Sequence, residues 1–290
     1  MSNYEFISNY RENDLFRQYF NNLALEVFGI DFTEFYNRGL WQNEYKCYSY
    51  IDKNKMIANV SINLFPLIVN GKFYKALQIG TVMTLNEYRN KGLSRKLMEK
   101  VFKDYKDKID IFYLFANSSV RDFYPKFGFK KVQQFLFEFY IYNKSTCFEL
   151  EKIDIDNLNH YKIIKRIVEN RVINSSQYDA EKCAYLNLFH LNFVYNNNIF
   201  YSKEYDALLI YKQNADSVDL YDFISTEKTN INEVCNNVFS SEVKKVILHF
   251  TPDLDCKEFK KIKYDDSEDL FFVKSDVKIP EIFHPALAKA

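Results

Sequence analysis

The stretch Ala76-Leu77-Gln78-Ile79-Gly80-Thr81-Val82-Met83-Thr84-Leu85-Asn86-Glu87-Tyr88-Arg89-Asn90-Lys91-Gly92-Leu93-Ser94 decides how this chain is read. Residues 76–84 form an apolar run rich in β-formers and predict a strand. After Gly92, Leu93, Leu97, Met98, Val101, Phe102 and Tyr105 recur on one helical face, with Lys96, Lys100 and Lys103 on another. Residues 89–94 therefore lie between a strand and a helix. A loop there presents unpaired backbone N–H groups, and the helix dipole adds positive potential. Gly92 lets the backbone approach a ligand with no Cβ in the way. Arg89, Lys91 and Arg95 add charge. Such a loop is built to cradle a pyrophosphate, although many ordinary helix starts also carry a Gly and a Lys.

Outward from this loop the chain reads as mixed α and β. Upstream, helical spacing predicts a helix over residues 14–28 and a shorter one over 31–36, where Asp31 and Glu34 are spaced as a capping box. Strands follow over 48–51 and 56–65, and Asn70-Gly71 turns the chain into the next one. Downstream come a strand over 109–116, a short helix over 117–127 stopped by Gly128, and a strand over 135–142. The alternation predicts a largely parallel central unit. The second half predicts a helix (157–172), strands (207–211, 218–224), a helix (232–239) and strands (243–250, 270–273). Residues 183–195 are apolar without a readable period. The strand, strand, helix, strand order echoes the first half, and the boundary is placed near 143–146.

Two stretches together resemble a known family. Arg89-Asn90-Lys91-Gly92-Leu93-Ser94 is similar to the (Gln/Arg)-x-x-Gly-x-(Gly/Ala) motif with which GCN5-related N-acetyltransferases (GNAT) bind the coenzyme A pyrophosphate. About 25 residues on, Asn117-Ser118-Ser119-Val120-Arg121-Asp122-Phe123-Tyr124-Pro125-Lys126-Phe127-Gly128-Phe129 resembles the family segment that flanks the acetyl-CoA thioester. Ser94 departs from the family pattern but is small. Within the family the chain resembles the multi-domain enhanced-intracellular-survival type, in which a degenerate second acetyltransferase-like domain follows the first. The resemblance implies an α/β (α+β) fold with a GNAT-like mixed central sheet flanked by helices. It implies a catalytic domain over 1–145 and a degenerate GNAT-like domain over 146–290, which has no Arg-x-x-Gly-x-Gly loop. It implies acetyl-CoA as cosubstrate and a primary amine as acceptor. By position, Val82, Met83 and Thr84 would bond the acetyl carbonyl and pantetheine through their backbone. Arg89, Asn90, Lys91, Gly92, Leu93 and Ser94 would hold the pyrophosphate, Asn117 would contact pantetheine, and Tyr124 would protonate the departing thiolate.

A phenol with an ordinary pKa near 10 suits that last role. A tyrosine of the core and a plain helix cap are the competing readings of Tyr124 and Asn117. The base is open. Residues 1–159 hold no His, which leaves Glu26, Asp31, Glu34, a water chain, or the end of the chain, where Ala290 and His284 are candidates because in longer relatives the terminal carboxylate reaches the first domain's site. The rings Phe28, Phe32, Phe35, Tyr36 and Trp41 form either core or an acceptor wall.

Composition bounds the rest. The 290 residues carry 39 Lys plus Arg against 39 Asp plus Glu and 18% aromatics, which excludes a disordered chain and gives no net field for nucleic acid. The balance is a cancellation: residues 1–146 hold 21 basic and 15 acidic side chains, a net of +6, and residues 147–290 hold 18 and 24, a net of −6. The acidic half could draw a cationic acceptor. Five dispersed cysteines and four scattered histidines indicate no disulfide framework and no metal site. No apolar run of membrane-helix length and no leader pattern appears, so a cytoplasmic protein is expected, and the family resemblance implies a bacterial one. The partners expected are a small-molecule or peptide amine, no nucleic acid and no membrane, with homo-oligomerisation left open. The rival reading is a non-catalytic acyl-CoA-binding or interaction module on the same fold.

Overall fold

The computed structural model describes residues 4–141, 148–253, 259–265 and 267–290. Two sheets organise them. In the first the strands run β1 (Glu5–Ser8), β2 (Tyr45–Asp52), β3 (Lys55–Val69), β4 (Lys72–Thr84), β5 (Ile111–Ala116), β15 (Leu270–Lys274) and β6 (Lys130–Lys131), and β9 (Tyr178–Ala180) also pairs with β3. In the second they run β14 (Lys260–Lys263), β7 (Phe135–Tyr140), β13 (Lys245–Leu248), β12 (Ser217–Ser225), β11 (Ala207–Gln213), β10 (Ile199–Ser202) and β8 (Leu150–Lys152). The helices are α1 (Asp14–Phe28), α2 (Thr33–Asn37), α3 (Leu93–Tyr105), α4 (Leu158–Glu169), α5 (Ala184–Phe193) and α6 (Ile231–Val238). Among the described residues no helix is long and apolar enough to cross a membrane.

The expected mixed sheet flanked by helices is present, but the central unit is not largely parallel. Only β4–β5 in the first sheet and β12–β13 in the second are parallel neighbours. Each parallel pair is joined through a helix, α3 or α6, as a crossover requires. Beside each pair sits an antiparallel strand from the other half of the chain. β15 lies between β5 and β6, and β7 lies between β13 and β14. β9 adds a further crossing, pairing Tyr178–Ala180 with Leu67, Ile68 and Val69 beyond the end of β2. The boundary expected at 143–146 falls outside the described residues, and the two sheets do not divide the chain at any single point. One apolar core runs through both halves, bringing Ile62, Leu77 and Tyr113 together with Ile167, Leu191 and Phe271.

Local chemistry sets the element ends. Asn13 Oδ1 accepts the Phe16 N–H at 3.1 Å and opens α1 where the spacing predicted it. The Asp31–Glu34 capping box does not form. Asp31 Oδ1 accepts the Thr33 N–H at 2.7 Å, so the helix begins two residues later, and the Thr33 hydroxyl together with this N–H lowers the Asp31 pKa. Residues 117–127 are two 3₁₀ turns, Ser118–Val120 and Tyr124–Phe127, rather than one helix. Pro125 lacks the N–H that a continuous helix needs there. Gly128, at φ +85°, stops the second turn as expected.

Candidate active site

The first sheet opens where its parallel pair ends. β4 and β5 are paired from Ala76/Ile111 to Ile79/Leu114 and no further, although β4 continues to Thr84 and β5 to Ala116. In β4 the register against β3 slips between Gly80 and Met83, which marks a bulge at Thr81 and Val82. Thr81 sits at φ +46°, a conformation costly for a β-branched residue. Two bonds hold it, one of them from a tyrosine that is itself anchored. Tyr45 Oη lies 3.0 Å from Thr81 Oγ1 and donates to Ser61 Oγ at 2.9 Å, and Asn59 Nδ2 donates to the Thr81 carbonyl at 2.9 Å. The diverging strands leave a cleft of about 840 Å3.

One end of the cleft is the loop before α3. Gly92 is the N-cap of that helix at φ +74°, and no side chain caps the first turn, so its amides remain free for a ligand. A Cβ on Gly92 would meet nothing within 4 Å, so the glycine is required by its backbone angle and not by crowding. Arg89, Asn90, Leu93, Ser94 and Arg95 line this end. The Arg89 guanidinium also reaches the Thr84 carbonyl at 3.4 Å. Ser94 Oγ lies 2.7 Å from Thr84 Oγ1, so this residue ties the loop to the strand end. Lys91 does not line the cleft: its ammonium lies 4.5 Å above the Tyr88 ring.

Tyr124 lines the middle of the cleft, packed among Phe123, Phe129 and Phe272. Burial pushes its phenol up to about 12. Asn117 also lines the cleft, and it does cap a turn, with Oδ1 accepting from Ser119 N at 3.1 Å and Ser119 Oγ at 2.5 Å.

The last residues of the chain complete the wall. A Cβ on Gly80 would lie 3.2 Å from Ala290 Cβ and 3.3 Å from its carbonyl carbon, so a side chain there would press on the tail. Gln78 Nε2 donates to the Ala288 carbonyl at 3.2 Å and Asn187 Nδ2 to that of Leu287 at 2.9 Å. His190 Nε2 lies 2.7 Å from the Lys289 carbonyl, and burial lowers this histidine to about 4, so the neutral ring donates. Residues 9–132 match the model of the acetyltransferase (GNAT) domain. That stretch, a little under half of the chain, is similar to the GNAT acetyltransferase domain.

Solved structures extend the likeness in fold across both sheets. A conserved protein of unknown function from Enterococcus faecalis V583 is 14% identical with a TM-score of 0.64, and the match covers 94% of this chain and 72% of that one. A GCN5-related N-acetyltransferase from Anabaena variabilis ATCC 29413 is 14% identical with a TM-score of 0.57, covering 93% and 72%. Eis1 from Mycobacterium abscessus is 10% identical with a TM-score of 0.58, covering 93% and 73%. A comparison with curated proteins finds no significant match.

Within this GNAT frame the expected residues divide. Val82, Thr84, Arg89, Asn90, Gly92, Leu93, Ser94, Asn117, Tyr124 and Ala290 share the cleft. Met83 turns its side chain into the core. His284 is displaced from the role of base: it is fully buried, bonded to Tyr178 Oη (2.9 Å) and the Ala288 carbonyl (3.2 Å), and burial lowers it to about 3. It holds the tail in place. Glu26 pairs with Lys55 (3.2 Å) and Glu34 with Arg38 (3.5 Å), and neither these nor Asp31 line the cleft. Of the aromatic cluster, Phe28, Phe32 and Phe35 face the cleft while Tyr36 and Trp41 pack in the core. Sequence reasoning missed Tyr45, Thr81, Leu186, Phe189 and Lys289. None carries a spacing signal, because the tertiary fold alone brings them together.

Proposed function

We propose that this protein transfers an acetyl group from acetyl-CoA directly to a primary amine within one ternary complex. The observation that carries the reading is that the uncapped first turn of α3, Tyr124 and Ala290 all face one cleft at a splayed parallel pair. The residues fit coenzyme A. Free amides, Gly92 with open space before it, and Arg89 and Arg95 suit a pyrophosphate. The bulge at Thr81–Val82 breaks the β3–β4 register and suits an extended arm.

Acetyl-CoA supplies the activated acyl carbon and a thiolate leaving group. The chain's own groups handle the protons. An amine nitrogen must be neutral to attack, and an α-carboxylate on Ala290, beside Gly80, would take its proton. A new C–N bond forms, the C–S bond breaks, and Tyr124 Oη donates its proton to sulfur. The elevated pKa keeps that phenol protonated throughout the neutral range.

Thiol release with an amine panel tests this reading. Tyr124→Phe should lower kcat roughly a hundredfold, within the range of general acid catalysis. Its thermal shift with acetyl-CoA should persist, a ligand at a hundred times its Kd adding about 2.7 kcal/mol. One glycine added after Ala290 should lower kcat in the same way. Acetyl-CoA binding with no thiol release for any amine would favour the binding-module reading instead.

A further inference from the structure

Two features of the cleft remain unused by the chemistry above. One is a wall of Phe32 and Phe35 on the α1–α2 side and Leu186 and Phe189 on α5, next to Ala290. The Phe32 and Phe189 rings are near-parallel, 12° apart with centroids 6.3 Å apart, and Phe35 meets Phe189 edge-on at 5.5 Å. At the mouth Phe28 and Ile30 are 47% and 40% exposed. Exposed rings at the mouth of a cavity are costly unless something apolar covers them.

The other observation concerns charge. Among the described residues lining the cleft there is no Asp or Glu side chain, while Arg89, Arg95 and Lys289 are all basic. Three carboxylates of the flanking elements are engaged elsewhere: Glu26 with Lys55, Glu34 with Arg38, and Asp269 with Lys289 itself. Among the described residues the second half contributes Leu186, Phe189, Lys289 and Ala290 to the lining, and none of its carboxylate side chains. A polycationic acceptor would lose hydration here with no side-chain anion to replace it.

We infer that the acceptor is a monoamine carried on an apolar, aromatic body, which the Phe32–Phe35–Leu186–Phe189 wall covers while its single nitrogen faces Ala290. This rests on the acetyl-transfer reading above. Rings prefer to pack against rings edge-on or offset. An amine of this class arises by decarboxylation of an aromatic amino acid, so a decarboxylation is the class of reaction that would supply it.

The test compares kcat/KM for thiol release from acetyl-CoA with 2-phenylethylamine, tyramine, spermidine and kanamycin. The two aromatic monoamines should exceed the two polycations by roughly tenfold or more. Phe189→Ala should raise KM for 2-phenylethylamine roughly tenfold with the acetyl-CoA thermal shift retained, and Leu186→Asp should narrow the gap between 2-phenylethylamine and spermidine. Equal or greater kcat/KM for spermidine or kanamycin overturns this inference and leaves the acetyltransferase standing. So does an unchanged KM in Phe189→Ala. No release with any of the four, in protein that binds acetyl-CoA, sinks both readings together.

Discussion

At Gly92 a single backbone angle carries much of the cofactor argument. The residue sits at φ +74°, and open space lies where a Cβ would point. Gly92→Ala should therefore cost about 1 kcal/mol through its φ alone, lowering Tm by roughly 2–4 °C. The thermal shift with acetyl-CoA should shrink further, since a methyl group would occupy the ligand's side of the loop. Differential scanning fluorimetry with and without acetyl-CoA reads both effects. This residue was legible in the sequence because a lone glycine between an apolar strand and a basic helix start marks a backbone that turns left-handed there. Thr81 was not legible: a β-branched residue at φ +46° contradicts local preference and is held only by Tyr45 and Asn59, far away in the chain. Ser94 was legible as a small residue, and its bond to Thr84 needed coordinates.

Among the elements, the chain's last turn has the clearest pH signature. His190 and His284 hold the carbonyls of Lys289 and Ala288, and burial lowers the two rings to about 4 and about 3. The unfolded chain, with histidines near 6.5, binds more protons than the folded one below that pH. Their contribution is thus present above pH 6.5 and lost as pH falls through about 4. Asp222, buried with Asp179 around Arg171, works the other way: its pKa is raised to about 6, so its contribution is lost as pH rises from about 4 to about 6. The histidines carry the larger combined shift, so the urea midpoint should fall from pH 7 to pH 5. His190→Gln, which keeps a donor toward Lys289, should flatten that slope; an unaltered slope would remove the histidine from this account. α1 was readable to its ends because Asn13 and helical spacing both mark it. α5 was unreadable because Tyr185, Leu186, Leu188 and Leu191 are buried on most of its faces and erase the period. β14 was missed because Lys260, Lys261 and Lys263 leave Ile262 without an apolar alternation; it is an edge strand whose Lys260 and Lys261 ammonium groups meet Glu138 (3.7 Å) and Glu281 (2.9 Å).

For the molecule as a whole, the exchange of strands predicts cooperativity. β15 completes the first sheet and β7 the second, and Trp41 belongs to the core that spans both. Urea unfolding followed by Trp41 fluorescence should coincide with that followed by far-UV circular dichroism, and residues 1–145 expressed alone should show no cooperative transition. Separate transitions would show two independently folding halves. The repeated order of elements in the two halves could be read from sequence, but the exchange could not, because nothing in Leu270–Lys274 says which sheet it joins. That placement also sets a timetable for synthesis. β5 ends at Ala116 and its partner begins at Leu270, so some 150 residues separate them. At 5–20 residues per second the β5 edge waits on the order of ten seconds for its neighbour. Throughout that interval the nascent chain presents an open, apolar strand edge, a natural point of capture for a ribosome-associated chaperone and of mispairing between neighbouring chains on one messenger.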